Sequence, residues 1–306
     1  MFIKHLITAI REKKSAVCMG LDPRMEKKGQ IPRFLIEEYQ DPNAIILEFN
    51  KRLIDEVYDL IPIIKPQIAF YEMYDALDAL KQTIKYAHKH DLLVLLDSKR
   101  NDIGSTSAAY AQSTFEVYGA DACTLNAYFG IDGIKPYLTK YKNKGIYILV
   151  KTSNPSSRDF QDLFSIKMKQ VNAKTIRYDA HSVRLERNYV KMAKLVKEWG
   201  KSMELVDNYH NLGAVVGATF PQVLEQIREI IPHSFLLLPG FGAQGAGAED
   251  VKYGFHSNGL GALVNSSRGI MFAYQNKKQY SADQFHSAAR EEILCMNKSI
   301  NQYIDL

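Results

Sequence analysis

The residues with the clearest capacity for chemistry lie in Leu92–Thr106 (LLVLLDSKRNDIGST), where an apolar run ends in a group of charges. A continuous apolar run is typical of a strand buried on both faces, as in a parallel sheet. Because side chains two positions apart in a strand point the same way, Asp97 and Lys99 should leave its end on one face. Asp102 follows, and residues 104–106 are expected to cap the next helix. This arrangement indicates proton transfer or charge stabilisation, although a solvated loop after a strand also carries such charges.

Lys65, which ends an earlier apolar run (IPIIK), extends these charges into an alternating row with Asp97, Lys99 and Asp102. Opposite charges about 4 Å apart interact by roughly 4 kcal/mol at an effective dielectric constant near 20, so such a row keeps both lysines protonated. One lysine can then act as a general acid while the carboxylates stay ionised. Two other interpretations are a structural salt-bridge network and a Schiff-base lysine, whose neutral amine two flanking carboxylates disfavour.

The elements that must position these residues are eight apolar runs that alternate with amphipathic helical segments. The expected strands are 16–22, 61–65, the run that begins at Leu92, 120–126, 145–151, 212–219, 235–239 and 261–265. Strict alternation predicts an α/β protein that closes into a (β/α)8 TIM barrel, with an open doubly wound sheet as the competing fold. We expect a single domain over residues 1–306.

The alternation is interrupted once, between the fifth and sixth strands. Residues 156–188 are polar and weakly periodic, whereas Met192, Leu195, Val196 and Trp199 mark one amphipathic helix. A segment of this length between barrel elements is usually functional or an insertion. We therefore expect an insertion after strand five (155–211) that supplies an extra helix and a lid beside the active face.

Composition narrows the class of protein. A formal net charge of +5 without long blocks of one charge suits small anionic substrates and does not argue for nucleic acid. No apolar stretch approaches the roughly 20 residues of a membrane span, and Lys4 and His5 interrupt the apolar N-terminal run where a signal peptide would need continuity. Cys18 and Cys123 lie in apolar runs, which favours reduced, packed thiols. The expected location is the cytoplasm.

Several strand ends carry ionisable or amide side chains that packing does not require, which favours function. These residues are Asp22, Lys65, Asp97, Lys99, Asp102, Asn126, Ser153, Gln244 and Arg268. The eight histidines are scattered, and lysines near Asp22 and Asp97 would compete with Mg²⁺. The sequence therefore predicts no metal site.

A glycine-rich stretch, GFGAQG (residues 240–245), follows the seventh strand. It matches a dinucleotide-binding pattern, but that pattern belongs to the first unit of an open sheet and needs an acid at the next strand end. Here the next strand ends at residues 265–268 (NSSR). The loops after strands seven and eight of a barrel often bind phosphate through backbone N–H groups, and Arg268 can grip the oxygens as a fork.

These motifs together resemble the orotidine 5′-phosphate decarboxylase family. DSKRNDI (Asp97–Ile103) matches the family signature D-x-K-x-x-D-I. Supporting matches in the expected order are GLDPR, IKPQIAFYE, VKTSNP, PGFGAQG and NSSRG, over roughly residues 16–270. The spacing and the long segment after strand five resemble the longer branch of that family.

The resemblance implies cofactor-independent decarboxylation of orotidine 5′-phosphate to UMP and CO2, the last step of UMP synthesis, by a homodimer with shared active sites. Lys65, Asp97, Lys99 and Asp102 would form the catalytic tetrad, with Asp97 beside the substrate carboxylate and Lys99 protonating C6. Asp102 and Thr106 would come from the partner subunit. The substrate-binding residues implied are Asp22, Ile103, Thr106, Asn126, Ser153, Pro239, Gly240, Gln244, Ser267 and Arg268.

Within this set, the resemblance implies that Asp22 and Lys65 bind ribose hydroxyls, that Ser153 binds the pyrimidine, and that Gln244 and Arg268 bind the phosphate. The nearest alternative is a Mg²⁺-dependent sugar-phosphate lyase or decarboxylase on the same barrel. The sequence pattern of such enzymes has an acidic residue at the tip of strand two, where this chain has Lys65. A non-catalytic barrel that binds a phosphate ligand is the third possibility, and such a binder has no need to hold four charges together.

Overall fold

Eight parallel strands close into a barrel in the computed structural model, which describes residues 1–26, 30–166, 169–172, 175–177, 185–242 and 245–306. The strands are β1 Val17–Leu21, β2 Ile63–Pro66, β3 Leu93–Arg100, β4 Ala122–Leu125, β5 Gly145–Lys151, β6 His210–Val216, β7 Ser234–Pro239 and β8 Ala262–Ser266. Each strand pairs with the next, and β1 also pairs with β8, which closes the barrel. The predicted (β/α)8 barrel is confirmed.

Twelve α-helices are formed by the described residues. They are α1 Phe2–Lys13, α2 Arg33–Tyr39, α3 Pro42–Val57, α4 Ile68–Met73, α5 Leu77–Lys89, α6 Gly104–Gln112, α7 Ile131–Lys140, α8 Asn188–Gly200, α9 Pro221–Ile230, α10 Ala248–Val251, α11 Arg268–Met271 and α12 Phe285–Ile300. A π-helical turn at Ser113–Val117 follows α6. None of these helices is both long enough and apolar enough to cross a bilayer.

Helix α1 closes the amino-terminal end of the barrel. Its apolar stripe, which includes Leu6 and Ile10, is buried in one cluster with inward-facing strand residues such as Cys18, Leu95 and Tyr147. Residues that point outward from the strands pack against the surrounding helices in a second cluster. With its amino-terminal end filled by apolar side chains, the barrel offers its carboxyl end for polar chemistry.

The chain leaves the barrel between β5 and β6. A 3-10 turn at Pro155–Asp159 is followed by two short antiparallel pairs, in which Phe164–Ser165 joins Glu186–Arg187 and Lys169–Asn172 joins Thr175–Arg177. Helix α8 then packs against β5 and β6. The insertion predicted after strand five is therefore present. Part of its weakly periodic stretch (167–168, 173–174 and 178–184) lies outside the described residues.

The start of α6 differs from the sequence prediction. Residues 104–106 were expected to cap this helix, but Gly104 is its first residue, and the N-cap residue Ile103 offers no side-chain hydrogen bond. The nearby carboxylate does not cap the helix either, because Asp102 Oδ1 accepts from the backbone N–H of Ile103 at 2.8 Å. The first-turn N–H groups of α6 therefore receive no side-chain cap from its N-cap residue.

Candidate active site

The carboxylate of Asp97 lies at the centre of a hydrogen-bonded cluster at the carboxyl end of the strands. Its Oδ2 accepts from Lys65 Nζ at 2.8 Å and from Gln67 Nε2 at 3.1 Å. Its Oδ1 accepts from Lys99 Nζ at 2.5 Å and from Thr124 Oγ1 at 2.7 Å. An ionised carboxylate offers about four acceptor positions, so these four donors saturate it and fix its orientation.

Three neighbouring strands bring the cluster together. Lys65 ends β2, Asp97 and Lys99 lie in β3, and Thr124 lies in β4. The register between β3 and β4 shifts between Leu96 and Arg100, where Lys99 adopts a left-handed backbone with φ of 48°. This conformation costs a side-chain-bearing residue on the order of 1 kcal/mol, and the hydrogen bond from the Lys99 N–H to Thr124 Oγ1 (3.1 Å) helps to hold it.

The electrostatics of the cluster keep both partners of the buried pair charged. Burial would raise the pKa of Asp97, but the ammonium groups of Lys65 and Lys99 hold that pKa well below its usual range. Burial would likewise lower the pKa of Lys65, but the carboxylates of Asp97 and Asp22 raise it above its usual value. At neutral pH the cluster therefore presents a carboxylate between two lysines, as the charge pattern predicts.

A cavity of about 380 Å³ opens above this cluster. Of the residues predicted from the sequence, it is lined by Asp22, Lys65, Asp97, Lys99, Pro239, Gly240, Ser267 and Arg268. The strands that deliver them are distant in sequence and meet only because the barrel closes. The structure thus unites three members of the predicted tetrad with Asp22 and Arg268, two of the residues predicted to bind ribose and phosphate.

The other predicted residues that the structure describes do not line this cavity. Asp102 bonds the backbone of Ile103, whose own side chain is 53% exposed. Thr106 and Asn126 are exposed, and Asn126 Oδ1 accepts from a neighbouring backbone N–H in its own loop. Ser153 is half-buried, and its main chain packs against Gly217 after β6. Gln244 lies outside the described residues.

Comparison with known proteins settles the family. The family model for orotidine 5′-phosphate decarboxylase / HUMPS proteins matches residues 15–282. The chain belongs to this family. An orotidine 5′-phosphate decarboxylase of Rhodopirellula baltica is 38% identical, with 98% of each chain covered, and one of Caldicellulosiruptor saccharolyticus is 36% identical, with 99% of this chain and 98% of the relative covered. The solved structure of Leishmania donovani OMP decarboxylase superposes with a TM-score of 0.70 at 28% identity, covering 97% of this chain and 98% of that one.

Several residues of this family member's cavity were missed by the sequence analysis. The cavity is also lined by Arg24, Gln67, Phe241, Asn265 and Ser266. Gln67 follows Lys65 by two positions, so strand alternation could have placed it on the same side. Asn265 is only 7% exposed, and its Oδ1 has no hydrogen-bond partner among the described residues. The positions of Gln67 and Asn265 at strand ends could have identified both of them from the sequence as candidate cavity residues.

Close packing at the seam between β1 and β8 brings Ser267 and Arg268 into place. A Cβ atom added to Gly20 would lie 1.9 Å from Ser267 Oγ, which no real packing allows. Glycine is therefore required at this position of β1. Its missing side chain lets the start of α11, with Ser267 and Arg268, approach the rim of the cavity.

A second buried lysine, which the sequence analysis did not single out, ends β5. Lys151 is 1% exposed and contacts Asp162 Oδ1 at 2.8 Å and Ser157 Oγ at 3.0 Å. Its ammonium also lies 4.8 Å from the centre of the Phe220 ring. These contacts fix the loop after β5, which carries Ser153.

Size alone does not select the site in this family member. A larger cavity of about 530 Å³ is lined by the first residues of β6 and β7 and by the end of α8. Its lysines, Lys194, Lys197 and Lys201, lie in or just after the last turns of α8, where they suit the negative end of the helix dipole. None of the predicted site residues lines it. The smaller cavity holds the concentrated charge.

Proposed function

We propose that this protein decarboxylates orotidine 5′-phosphate to UMP and CO2 without a cofactor, the last step of UMP synthesis. The observation that carries the proposal is the Lys65–Asp97–Lys99 cluster in the strand-end cavity, in which the buried pair Lys65 and Asp97 meets the exposed Lys99. The curated relatives named orotidine 5′-phosphate decarboxylase, aligned over nearly the whole chain, support it.

The proposed chemistry uses the two lysines and the fixed carboxylate. The bond between C6 and the carboxylate carbon breaks, CO2 leaves, and the electron pair stays on C6. The Lys99 ammonium transfers a proton to C6, and the resulting amine is reprotonated from water. An ammonium placed in advance stabilises charge that develops only in the transition state, which is the condition for catalysis.

In this proposal, Asp97 faces the substrate carboxylate. Because four donors fix Asp97, it cannot turn away from a second carboxylate brought next to it. The energy for that approach comes from distant contacts: phosphate at Arg268 and ribose hydroxyls at Asp22 and Lys65. We assign the other phosphate and pyrimidine contacts to the remaining predicted binders, namely Asn126, Ser153, Pro239, Gly240, Gln244 and Ser267.

We further propose a homodimer in which Asp102, Ile103 and Thr106 complete the partner's site. The exposed Ile103 side chain and the exposed Thr106 support this, since neither residue lines the cavity of its own chain. Mixing inactive Lys99→Ala and inactive Asp102→Asn proteins should then restore activity to about a quarter of the normal level, because half of the molecules become heterodimers with one intact site. No recovery after subunit exchange would contradict shared sites.

Three further expectations from the sequence are also proposals. Residues 1–306 form one domain, the insertion 155–211 acts as a lid, and the protein works in the cytoplasm. The free cysteines Cys18, Cys123 and Cys295 suit a reducing compartment. The location of a tagged copy in fractionated cells tests the last of these.

The decisive experiment follows the loss of orotidine 5′-phosphate absorbance with purified protein, with and without excess EDTA. We expect rapid loss that EDTA does not change. A loss that requires Mg²⁺ would move the protein to the metal-dependent sugar-phosphate group, and binding of UMP without turnover would indicate a phosphate-ligand-binding barrel. The saturated Asp97 carboxylate disfavours the metal-dependent outcome, because Mg²⁺ would have to displace lysine donors from it.

A further inference from the structure

The catalytic cavity holds more positive charge than its carboxylates balance. Its lining includes four cations (Arg24, Lys65, Lys99 and Arg268) and two carboxylates. Lys65 and Lys99 are both paired with Asp97. Within the described parts of the chain, neither arginine forms an ion pair. Two unpaired guanidinium groups in one cavity indicate a ligand with more than one negative charge.

Arg24 is held in place by its surroundings, which argues against an incidental surface position. Its carbonyl accepts from the Ile31 N–H at 3.0 Å, and the next N–H, of Met25, donates to Tyr74 Oη at 3.0 Å. Its guanidinium carbon lies 4.8 Å from the centre of the Phe70 ring. Its Nε is buried and has no hydrogen-bond partner among the described residues. The side chain is thus oriented by an aromatic face while its charge is left without a partner.

Barrel closure brings Arg24 into the same cavity as Arg268. Arg24 follows β1 by three residues, and Arg268 follows β8 by two. These strands are neighbours, with Cys18 opposite Asn265 and Met19 opposite Ser266. The carboxylate side of the proposed substrate faces β3, where Asp97 and Lys99 already balance each other.

We propose that Arg24 is a second phosphate-binding residue, which holds the nucleotide phosphate together with Arg268. This inference rests on the proposed function for the identity of the nucleotide. Two guanidinium groups match the two charges of a phosphate monoester, and each can donate paired N–H groups to its oxygens. The alternative role for Arg24 is structural, as a cation that only packs on Phe70.

The test is equilibrium titration of UMP and of uridine into the full-length protein and into three variants, Arg24→Gln, Arg24→Lys and Arg33→Gln. Arg24→Gln should weaken UMP binding on the order of 10- to 100-fold, the range for a lost hydrogen bond to a charged group. Uridine lacks the phosphate, so its weaker binding, measured at millimolar concentration, should not change. Arg24→Lys should recover part of the UMP affinity. Arg33, which is exposed and paired with Glu37, is the matched control.

Unchanged UMP binding in Arg24→Gln, or equal weakening of UMP and uridine binding, would overturn the proposal in favour of a structural role. Melting temperatures of the variants identify a folding defect, and in that case Arg24→Lys, which keeps the charge, decides the question through its UMP-to-uridine affinity ratio. Turnover of the unaltered protein is measured separately. If turnover is normal but Arg24→Gln leaves the UMP affinity unchanged, only this inference fails. If turnover is absent but Arg24→Gln weakens UMP binding, the proposed function fails instead.

Discussion

Two buried lysines end barrel strands in this protein, and each lies 2.8 Å from an aspartate oxygen. Lys65 on β2 is 4% exposed and Lys151 on β5 is 1% exposed. The partner of Lys65, Asp97, also contacts a second lysine and faces a cavity. The partner of Lys151, Asp162, lies in the loop after its strand, and Lys151 itself is enclosed by the rings of Phe220 and Tyr189. The same chemical pair thus occupies two different settings.

The difference shows that a buried ion pair does not identify a site by itself. Desolvation of two charges often offsets their attraction, so such a pair needs a further reason to be retained. At Lys151 that reason is the path of the loop, because the pair joins a strand end to a segment without periodic packing. At Lys65 the reason is an excess of positive charge next to a space that a ligand can enter. The two ion pairs differ in whether a ligand can reach them and in the number of lysines that contact the carboxylate.

The largest predicted effect is on turnover at the cavity. Lys99→Ala should lower the decarboxylation rate about a thousandfold or more, because it removes both the proton donor and the charge that stabilises the carbanion. UMP binding should persist, since the phosphate and ribose contacts are intact. Steady-state kinetics and UMP titration measure both quantities, with the exposed Lys85→Ala as control. Substantial remaining turnover would exclude the proton-donor role.

At the other lysine the predicted effect is on stability. Lys151→Met should lower the free energy of unfolding by about 3 kcal/mol, because it leaves the carboxylate of Asp162 without its buried partner. We expect a higher KM as well, since the loop that carries Ser153 loses its contact with β5. Urea unfolding and kinetics test this prediction. The double variant Lys151→Met/Asp162→Leu should be more stable than the single one, and a double variant that is equally unstable would show that the pair is not coupled.

The third prediction concerns the free energy of unfolding at low pH. The folded protein holds the pKa of Asp97 below its unfolded value near 3.9, so this group stabilises the fold above about pH 4, and the contribution is lost as pH falls toward the lowered folded pKa. The free energy of unfolding should therefore fall more steeply below about pH 4 in the unaltered protein than in Asp97→Asn. Urea titrations at several pH values provide the slopes. Equal slopes would mean that Asp97 is not the group responsible.

The smallest predicted effect comes from one of the four donors around Asp97. Thr124→Val keeps the side-chain shape but removes the hydroxyl that donates to Asp97 Oδ1 and accepts from the Lys99 N–H. A typical hydrogen bond contributes about 1 kcal/mol, so the loss of two should decrease turnover by roughly 5- to 30-fold. Thr139→Val, at a hydroxyl that bonds only a helix carbonyl, is the control. A loss as large as that of Lys99→Ala would mean that Thr124 does more than orient the carboxylate.

The sequence predicted the features that follow from strand periodicity and barrel closure. Alternation along β3 placed Asp97 with Lys99, and closure of eight parallel strands placed Lys65 and Arg268 on the same rim. The donor Thr124 could not be assigned, because its contacts depend on the register shift between β3 and β4.

Features that depend on irregular chain or on a second subunit were beyond the sequence pattern. The Lys151–Asp162 pair joins a strand to a loop with no periodic signal, and the position of Arg24 follows from its own contact with Ile31 and from the contact of Met25 with Tyr74. Asp102 does not line the cavity of its own chain, so its proposed role can be tested only in the assembled dimer.

The close packing of Gly20 on β1 against Ser267 after β8 determines how late in synthesis the cavity can be completed. Gly20 and Ser267 come from opposite ends of the chain, and the contact between them helps to complete the side of the cavity where we propose that phosphate binds. During synthesis, a ribosome-bound chain has no complete nucleotide site until β8 and the start of α11 have emerged. Product or substrate therefore cannot stabilise the early chain, and nucleotide binding strengthens the fold only after the last strand has docked.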